Sequence, residues 1–322
     1  MKEKAARNKT IDFSLEEGRE YADRCIDIQQ IRCDTSQSFI NQYIIGDSLE
    51  VMDKLPEKFV DLLIVDPPYN LAKDYHGNKF NAKSQDAYRE YTRQWIEKVI
   101  PLLKETASIY VCCDWKSGLV IGDLLFQYFH VQNRITWQRE KGRGAKNNWK
   151  NGMEDIWYAT MGREYTFHLE DVKIRKKVHA PYKIEGQPKD WESTEYGNFR
   201  NTCPSNFWDD VSIPYWSMAE NTAHPTQKPE KLMAKLILAS SNEGDIILDP
   251  FAGSGTTAVT AKKLNRNFVA IEENLLYGAW AQKRLEMAKE NPSIQGYQDG
   301  VFWERNSLNQ QKKGEVHKRQ KV

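Results

Sequence analysis

Two short stretches hold the residue types that could do chemistry. The first is Asp66-Pro67-Pro68-Tyr69, which follows the apolar run Val60-Asp61-Leu62-Leu63-Ile64-Val65. Neither proline can donate a backbone hydrogen bond to a sheet ladder, so a strand must stop here and the chain leaves it stiff. A carboxylate before the stop, exposed carbonyls within it and an aromatic face after it suit a planar ring that bears an amino group. The second stretch is Asp249-Pro250-Phe251-Ala252-Gly253-Ser254-Gly255, after another apolar run, and Glu272-Glu273 closes the next such run. Glycines let backbone come close to a ligand, and an acidic residue at the following strand end can hold ribose hydroxyls.

The turn is Phe-Ala-Gly-Ser-Gly and lacks the Gly-x-Gly-x-x-Gly spacing, so a dinucleotide fits it poorly. No Gly-Lys-Ser/Thr follows, which excludes a phosphate loop. A nucleoside without pyrophosphate fits better, and S-adenosylmethionine is such a cofactor.

The elements that must position these residues follow from periodicity. Residues 39–45 read as a strand, closed by Gly46-Asp47-Ser48, and Asp47 can cap the helix over 49–55. Residues 60–65 are β-branched and continuous, the pattern of a buried strand. A polar loop is expected over 70–85 and an amphipathic helix over 88–103. A strand at 108–113, a helix at 118–129 and strands at 131–137 and 153–160 follow. Residues 138–151 carry Arg139, Lys141, Arg143, Lys146 and Lys150 against Glu140 alone, with glycines and asparagines, and cannot pack a core. Residues 161–222 are irregular and read as an insertion on the sheet. Helices at 230–240, 256–264 and 275–290 then enclose strands at 245–249 and 267–271. Ligands of such open α/β sheets bind in the crevice outside the carboxyl ends of the strands.

Three motifs together resemble the DNA amino-methyltransferases. Asp66-Pro67-Pro68-Tyr69 looks like their catalytic motif and Asp249 to Thr257 like their cofactor motif. His224-Pro225-Thr226-Gln227-Lys228-Pro229 is similar to their third signature. The catalytic motif comes first, with the basic irregular region between, which resembles the β-class, circularly permuted order. The resemblance covers residues 40–290. It implies a doubly wound, mostly parallel seven-stranded α/β sheet with one antiparallel strand. It further implies that Phe251, Gly253 and Ser254, with Asp249 before them, lie at S-adenosylmethionine. Glu272 would hold the cofactor's ribose, Asp47 its adenine amino group, and Thr226, Gln227 and Lys228 its carboxylate. Asp66 and a backbone carbonyl of Pro67-Pro68 would accept the amino hydrogens of a flipped base, with Tyr69 stacked on it. Aspartate at the first motif position is typical of adenine-N6 enzymes and serine of cytosine-N4 enzymes, so adenine is expected. Cytosine N4 is the alternative, and a non-catalytic DNA-binding protein that keeps the fold a more distant one.

The resulting organisation is an arm at 1–38, a catalytic half at 39–160, a target-recognition region at 161–222, a cofactor half at 223–290 and a tail at 291–322. The basic loop 139–150 is the expected phosphate-binding segment of a double-stranded DNA substrate. A cognate restriction endonuclease would be a further partner, with the protein a monomer or a homodimer. The chain has 40% apolar and 28% charged residues, an ordinary soluble composition, and a net charge of +1 that does not select a partner. It contains no apolar window of about 18 residues, so no membrane span is expected. The five cysteines show no metal spacing, and no metal is expected; their scatter fits a reducing cytoplasm.

Overall fold

Val60–Val65 is buried along its whole length except at Asp61, and it forms the middle of the main sheet. The structure is a computed structural model that describes residues 5, 7–31, 38–71, 73–75, 78–139, 146–178, 182–194, 197–305 and 307. In chain order the main-sheet strands are β1 (Ile26–Asp27), β2 (Gln42–Ile45), β3 (Val60–Val65), β4 (Leu103–Cys113), β5 (His130–Gln138), β6 (Met153–Thr160), β7 (Phe207–Trp208), β8 (Ile246–Asp249) and β9 (Asn267–Glu272). Their spatial order is β1-β2-β9-β8-β3-β4-β6-β5-β7. Only β6 runs antiparallel to its neighbours among these strands. The sheet has nine strands where seven were expected, because the two-residue strands β1 and β7 extend its edges. Strands that short leave no periodic trace in a sequence.

Alternation along each strand sends side chains to opposite faces. Leu63 and Val65 meet α2 (Ser48–Met52), α3 (Gln85–Val99) and α4 (Ser117–Tyr128) on one face. Leu62 and Ile64 meet α5 (Glu230–Ser240), α6 (Thr256–Lys263) and α7 (Leu275–Glu290) on the other. Helix α3 ends at Val99, earlier than the expected 103. Pro101 follows, and the chain passes through a 3-10 turn at Ile100–Leu102 straight into β4.

Both end segments take part in the fold. The expected arm contains α1 (Leu15–Ala22), capped by Ser14, as well as β1. The amides of Lys9 and Ile11 also donate to the carbonyls of Trp216 and Asn221, each at 2.7 Å. The region 161–222, expected to fit no part of the main sheet, donates β7 to it. Most of its remaining strands form a five-stranded sheet that includes Ile174–Lys177 and Gly197–Thr202. The expected tail from 291 also corrects itself there, since Tyr297–Gln298 and Val301–Trp303 complete that sheet. Phe302, wholly buried, gives the segment its anchor. The polar stretch 70–85 contains a ribbon of Lys73–Tyr75 against Asn78–Phe80. Its two ends are tied where Asn70 and Lys83 exchange hydrogen bonds of 2.9 and 2.7 Å.

Helix α5 lies between the two sheets and is buried at every residue. Leu232, Leu236 and Ile237 face the main sheet, while Ala234 and Leu238 pack with Val172, Ile174 and Phe302. Its charged residues are therefore paired. Glu230 takes Arg284 at 3.1 Å and Lys263 at 2.7 Å, and Lys231 and Lys235 share Asp210 at 2.7 and 2.6 Å. Glu230→Ala would strand two buried cations and is expected to cost about 3–5 kcal/mol. The check is the urea midpoint at constant slope; a loss under about 1 kcal/mol, the range of an exposed pair, would mean water already screens them.

Candidate active site

The cleft opens where connections diverge. From β3 the chain goes by α3 to β4 on one side, and from β8 by α6 to β9 on the other. β3 and β8 pair directly, Ile247 with Leu62 and Leu248 with Leu63. The Asp66 and Asp249 turns thus leave the sheet side by side, at the switch point where open α/β sheets bind ligands. A cavity of about 340 Å³ lies there, lined by all of Asp66 to Tyr69, by Asp249 to Ser254, and by Asp47, Thr226, Gln227, Lys228 and Glu272.

At the catalytic end, the Lys228 ammonium donates to both Asp66 oxygens at 2.7 and 2.6 Å. The Tyr69 hydroxyl donates to Asp66 Oδ1 at 2.8 Å and accepts from Lys228 Nζ at 3.1 Å. Burial, followed by the Asp66 charge, pushes the Tyr69 phenol far above its ordinary range, so it keeps this proton. Burial opposes the Lys228 charge, yet Asp66 and Glu154 outweigh it and hold Lys228 above its usual value. Glu154 stands behind this group, 3.4 Å from Lys228 Nζ, with its other oxygen bound by Arg139. The Pro68 carbonyl accepts from the Tyr88 hydroxyl at 3.2 Å.

At the other end, Gly253 and Gly255 adopt φ of +54° and +75°, a region that penalises side chains. A Cβ on Gly255 would also lie 2.6 Å from that of Ala281 on α7. The turn is braced by Tyr43 and Ser48, whose hydroxyls donate to the carbonyls of Gly253 and Pro250. The Phe251 ring meets the edge of Trp95, with centroids 6.4 Å apart. Glu272 accepts the amides of Gly253 and Asn274, each at 2.9 Å, and burial raises its pKa despite these two bonds. Asp47 caps α2, accepting from Leu49 and Glu50 through one oxygen, and lines the cleft as well. Ser254 lines the cleft too, but its carbonyl is held by Arg284 at 2.8 Å.

The structure gives several of the expected site residues other partners. Lys228 was expected at the cofactor carboxylate, but it is committed to Asp66 because a buried ammonium needs the nearest counter-charge. The start of α5 is likewise taken, since the Glu230 amide donates to the Glu220 carboxylate at 2.7 Å. Gln227 braces its own loop, accepting from Thr222 and donating to the Glu220 carbonyl at 2.7 Å. Thr226 lines the cleft, and its amide donates to His224 Nδ1 at 3.3 Å. Arg139, expected on phosphate, is paired with Glu154. Lys146 and Lys150 are exposed, while Lys141 and Arg143 lie outside the described residues. Glu154 escaped the sequence reading; its only signal is a pair of carboxylates, Glu154-Asp155, at the start of an otherwise apolar strand.

The sequence profile of a family described as DNA methylase matches residues 60–283. The type II methyltransferase M.HpaI of Haemophilus parainfluenzae is 34% identical over 248 residues, 76% of this chain and 73% of the relative. The DNA adenine methyltransferase YhdJ of Escherichia coli K12 is 33% identical over 76% of this chain and 82% of its own length. Among solved structures, M1.HpyAVI in complex with SAM superposes with a TM-score of 0.52 at 26% identity, covering 76% of this chain and 98% of that one. The cytosine-N4-specific PvuII methyltransferase reaches 0.53 over 78% and 92% at 17% identity, a likeness of fold alone.

Burial raises Asp249 from 3.8 to about 7, and burial beside Glu230 raises Glu220 from 4.5 to about 7. Between these values the folded protein holds protons that the unfolded chain has released. Stability is therefore expected to fall as pH rises from the unfolded values through about 7, by at most about 1.4 kcal/mol per pH unit for each group. Denaturant unfolding at stepped pH measures it, and Asp249→Asn should remove one share. A profile that this substitution leaves unchanged would assign the fall to other groups.

Proposed function

Since this chain belongs to the DNA methylase family, we propose that its cleft transfers a methyl group to an exocyclic amino nitrogen of a DNA base. The base is adenine, at N6, and the methyl donor is S-adenosylmethionine. The observation that carries the reading is the adjacency of the Asp66-Pro67-Pro68-Tyr69 strand end and the Asp249–Gly255 turn in one cavity.

The residues present fit the donor. Asp47, Asp66, Asp249, Glu272 and Glu273 line the cleft, and Lys228, the one lysine among the described lining residues, is paired with Asp66. A surplus of carboxylates suits a ligand with sulfonium and ammonium charges, and the volume suits a nucleoside-sized molecule. When bound, S-adenosylmethionine supplies a methyl group on positively charged sulfur. Glu272 would hold the ribose and Asp47 the adenine amino group, with Phe251 as the apolar wall and Gly253 as the close approach. Thr226 remains a candidate for the carboxylate end. Gln227 and Lys228 support that end less well, because their side chains are engaged elsewhere.

The amino nitrogen of adenine is a weak nucleophile because its lone pair delocalises into the ring. Acceptors on both of its hydrogens favour a tetrahedral nitrogen with the lone pair directed out of the ring plane. Asp66 is one acceptor. The Pro67 carbonyl is the better second, since that of Pro68 already accepts from Tyr88. Catalysis is then positioning and electrostatics. The base must leave the duplex stack to reach Asp66, and the Tyr69 ring lines the place it would enter. The catalytic strand precedes the cofactor turn in the chain, which supports the β-class permuted arrangement.

Residues 161–222 are our candidate for reading the target sequence, and exposed Lys146 and Lys150 for holding phosphates. A role beside a cognate restriction endonuclease follows from the type II relatives, as a monomer or homodimer in a reducing cytoplasm. None of the described helices is long and apolar enough to cross a membrane.

Labelled cofactor and unmethylated duplex DNA are expected to yield label in N6-methyladenine; label confined to N4-methylcytosine would replace adenine as the target. Asp66→Ala should abolish transfer and leave cofactor affinity within about threefold. Equal loss of both would move Asp66 into the cofactor site. Lys146→Ala with Lys150→Ala should weaken DNA binding and flatten its log–log salt slope by about 1 per lost phosphate contact. An unaltered slope would remove this loop from the interface.

A further inference from the structure

Lys228 and the Tyr69 hydroxyl together take three of the roughly four lone-pair sites of the Asp66 carboxylate, and the ammonium neutralises the charge that would hold the amino hydrogens of the base. An ammonium has three donors, and Lys228 spends them on Asp66 Oδ1, Asp66 Oδ2 and the Tyr69 oxygen. Glu154 Oε2 waits 3.4 Å from the same nitrogen, inside ion-pair range but too far for a good hydrogen bond. The Tyr69 hydroxyl has a matching choice, with its proton on Asp66 at 2.8 Å and Glu154 Oε2 at 3.3 Å. The Lys228 and Glu154 side chains are 7% and 6% exposed, so water cannot replace a lost partner. Arg139 neutralises the far oxygen of Glu154, and it is the last described residue before the basic segment 140–145.

We infer that Glu154 and Lys228 are positioning residues forming a substrate-operated release: Lys228 and the Tyr69 hydroxyl pass from Asp66 to Glu154 as the base arrives, which frees the Asp66 oxygens to accept its amino hydrogens. The inference rests on the methyl-transfer reading of this site. Its physical cause is the cost of stranding a buried ammonium. Without a second carboxylate, Lys228 would keep its hold on Asp66 and the base would compete with it. With Glu154 present, the lysine has an equal counter-charge a small movement away.

The test compares single-turnover transfer from labelled S-adenosylmethionine to saturating unmethylated duplex DNA, with cofactor Kd, DNA Kd and melting temperature measured on each variant. Glu154→Gln keeps the shape but has no charge to receive Lys228, and should slow transfer by about 100-fold with both Kd values within about threefold. Glu154→Asp, which keeps the charge, should recover most of the rate. The distinctive outcome is in the double variant: Glu154→Gln with Lys228→Met should be faster than Glu154→Gln alone, because no ammonium remains on Asp66. Losses that multiply would overturn the inference, as would a native rate in Glu154→Gln. Should Glu154→Gln fail to fold, Lys228→Met alone decides. Its cofactor Kd should stay within about threefold, and a large rise would return the lysine to the cofactor. A wild-type protein that labels no DNA base would instead sink the methyl-transfer reading, and this inference with it.

Discussion

The direct parallel pairing of β3 with β8 is the constraint on which the rest depends. Each strand leads into an aspartate followed by proline, and each is buried on both faces, so neither can shift without moving its neighbours. Their crossovers leave toward opposite faces, and the cavity lies beyond the strand ends, lined by both turns. A cleft is what remains. The Asp66 and Asp249 turns and the Glu272 side chain project from rigid sheet, while Asp47 and Lys228 reach the cleft from the segments before α2 and α5.

Burying so many charges near one cleft needs an internal system of counter-charges, and α5 supplies much of it. The helix fills the space between the main sheet and the smaller one, and no face of it meets solvent. Its first turn ties Glu230 to Arg284 and Lys263, while Glu220 caps it. Lys228, just before that turn, bridges Asp66 and Glu154. The cofactor half and the catalytic half are thus coupled electrostatically as well as by hydrogen-bonded strands. The N-terminal segment adds a strap, because its backbone bonds to 216–221 steady the loop leading into the third motif.

Much of this was readable from residue order. Continuous apolar runs announced the buried strands β3 and β8, and paired prolines and glycines announced where they stop. The helix over 230–240 was legible in the same way, while the single antiparallel strand was implied by the resemblance to the DNA amino-methyltransferases. The short strands β1 and β7 were not, since two residues carry no period. The hairpin at 297–303 was missed because its sheet partner, Ile174–Lys177, lies far away in the chain. Within the site, the positive φ of Gly253 agrees with the glycine of the turn, and Asp66 and Glu272 stand at the strand ends where the sequence put them.

The side chain of a long charged residue is another matter. Lys228 and Arg139 looked like ligands for anions outside the protein, and both turned inward to carboxylates. A lysine can reach several angstroms in any direction, and burial decides its partner by which opposite charge lies nearest. Glu154 is near only because β6 runs antiparallel between β4 and β5 and brings its first residues to the cleft. By itself the sequence determined the strands, their stops and the chemistry of the turns, since these depend on local sterics and hydrogen bonding. Tertiary structure alone decided which charges pair, because that depends on distances through space that the order of residues does not contain.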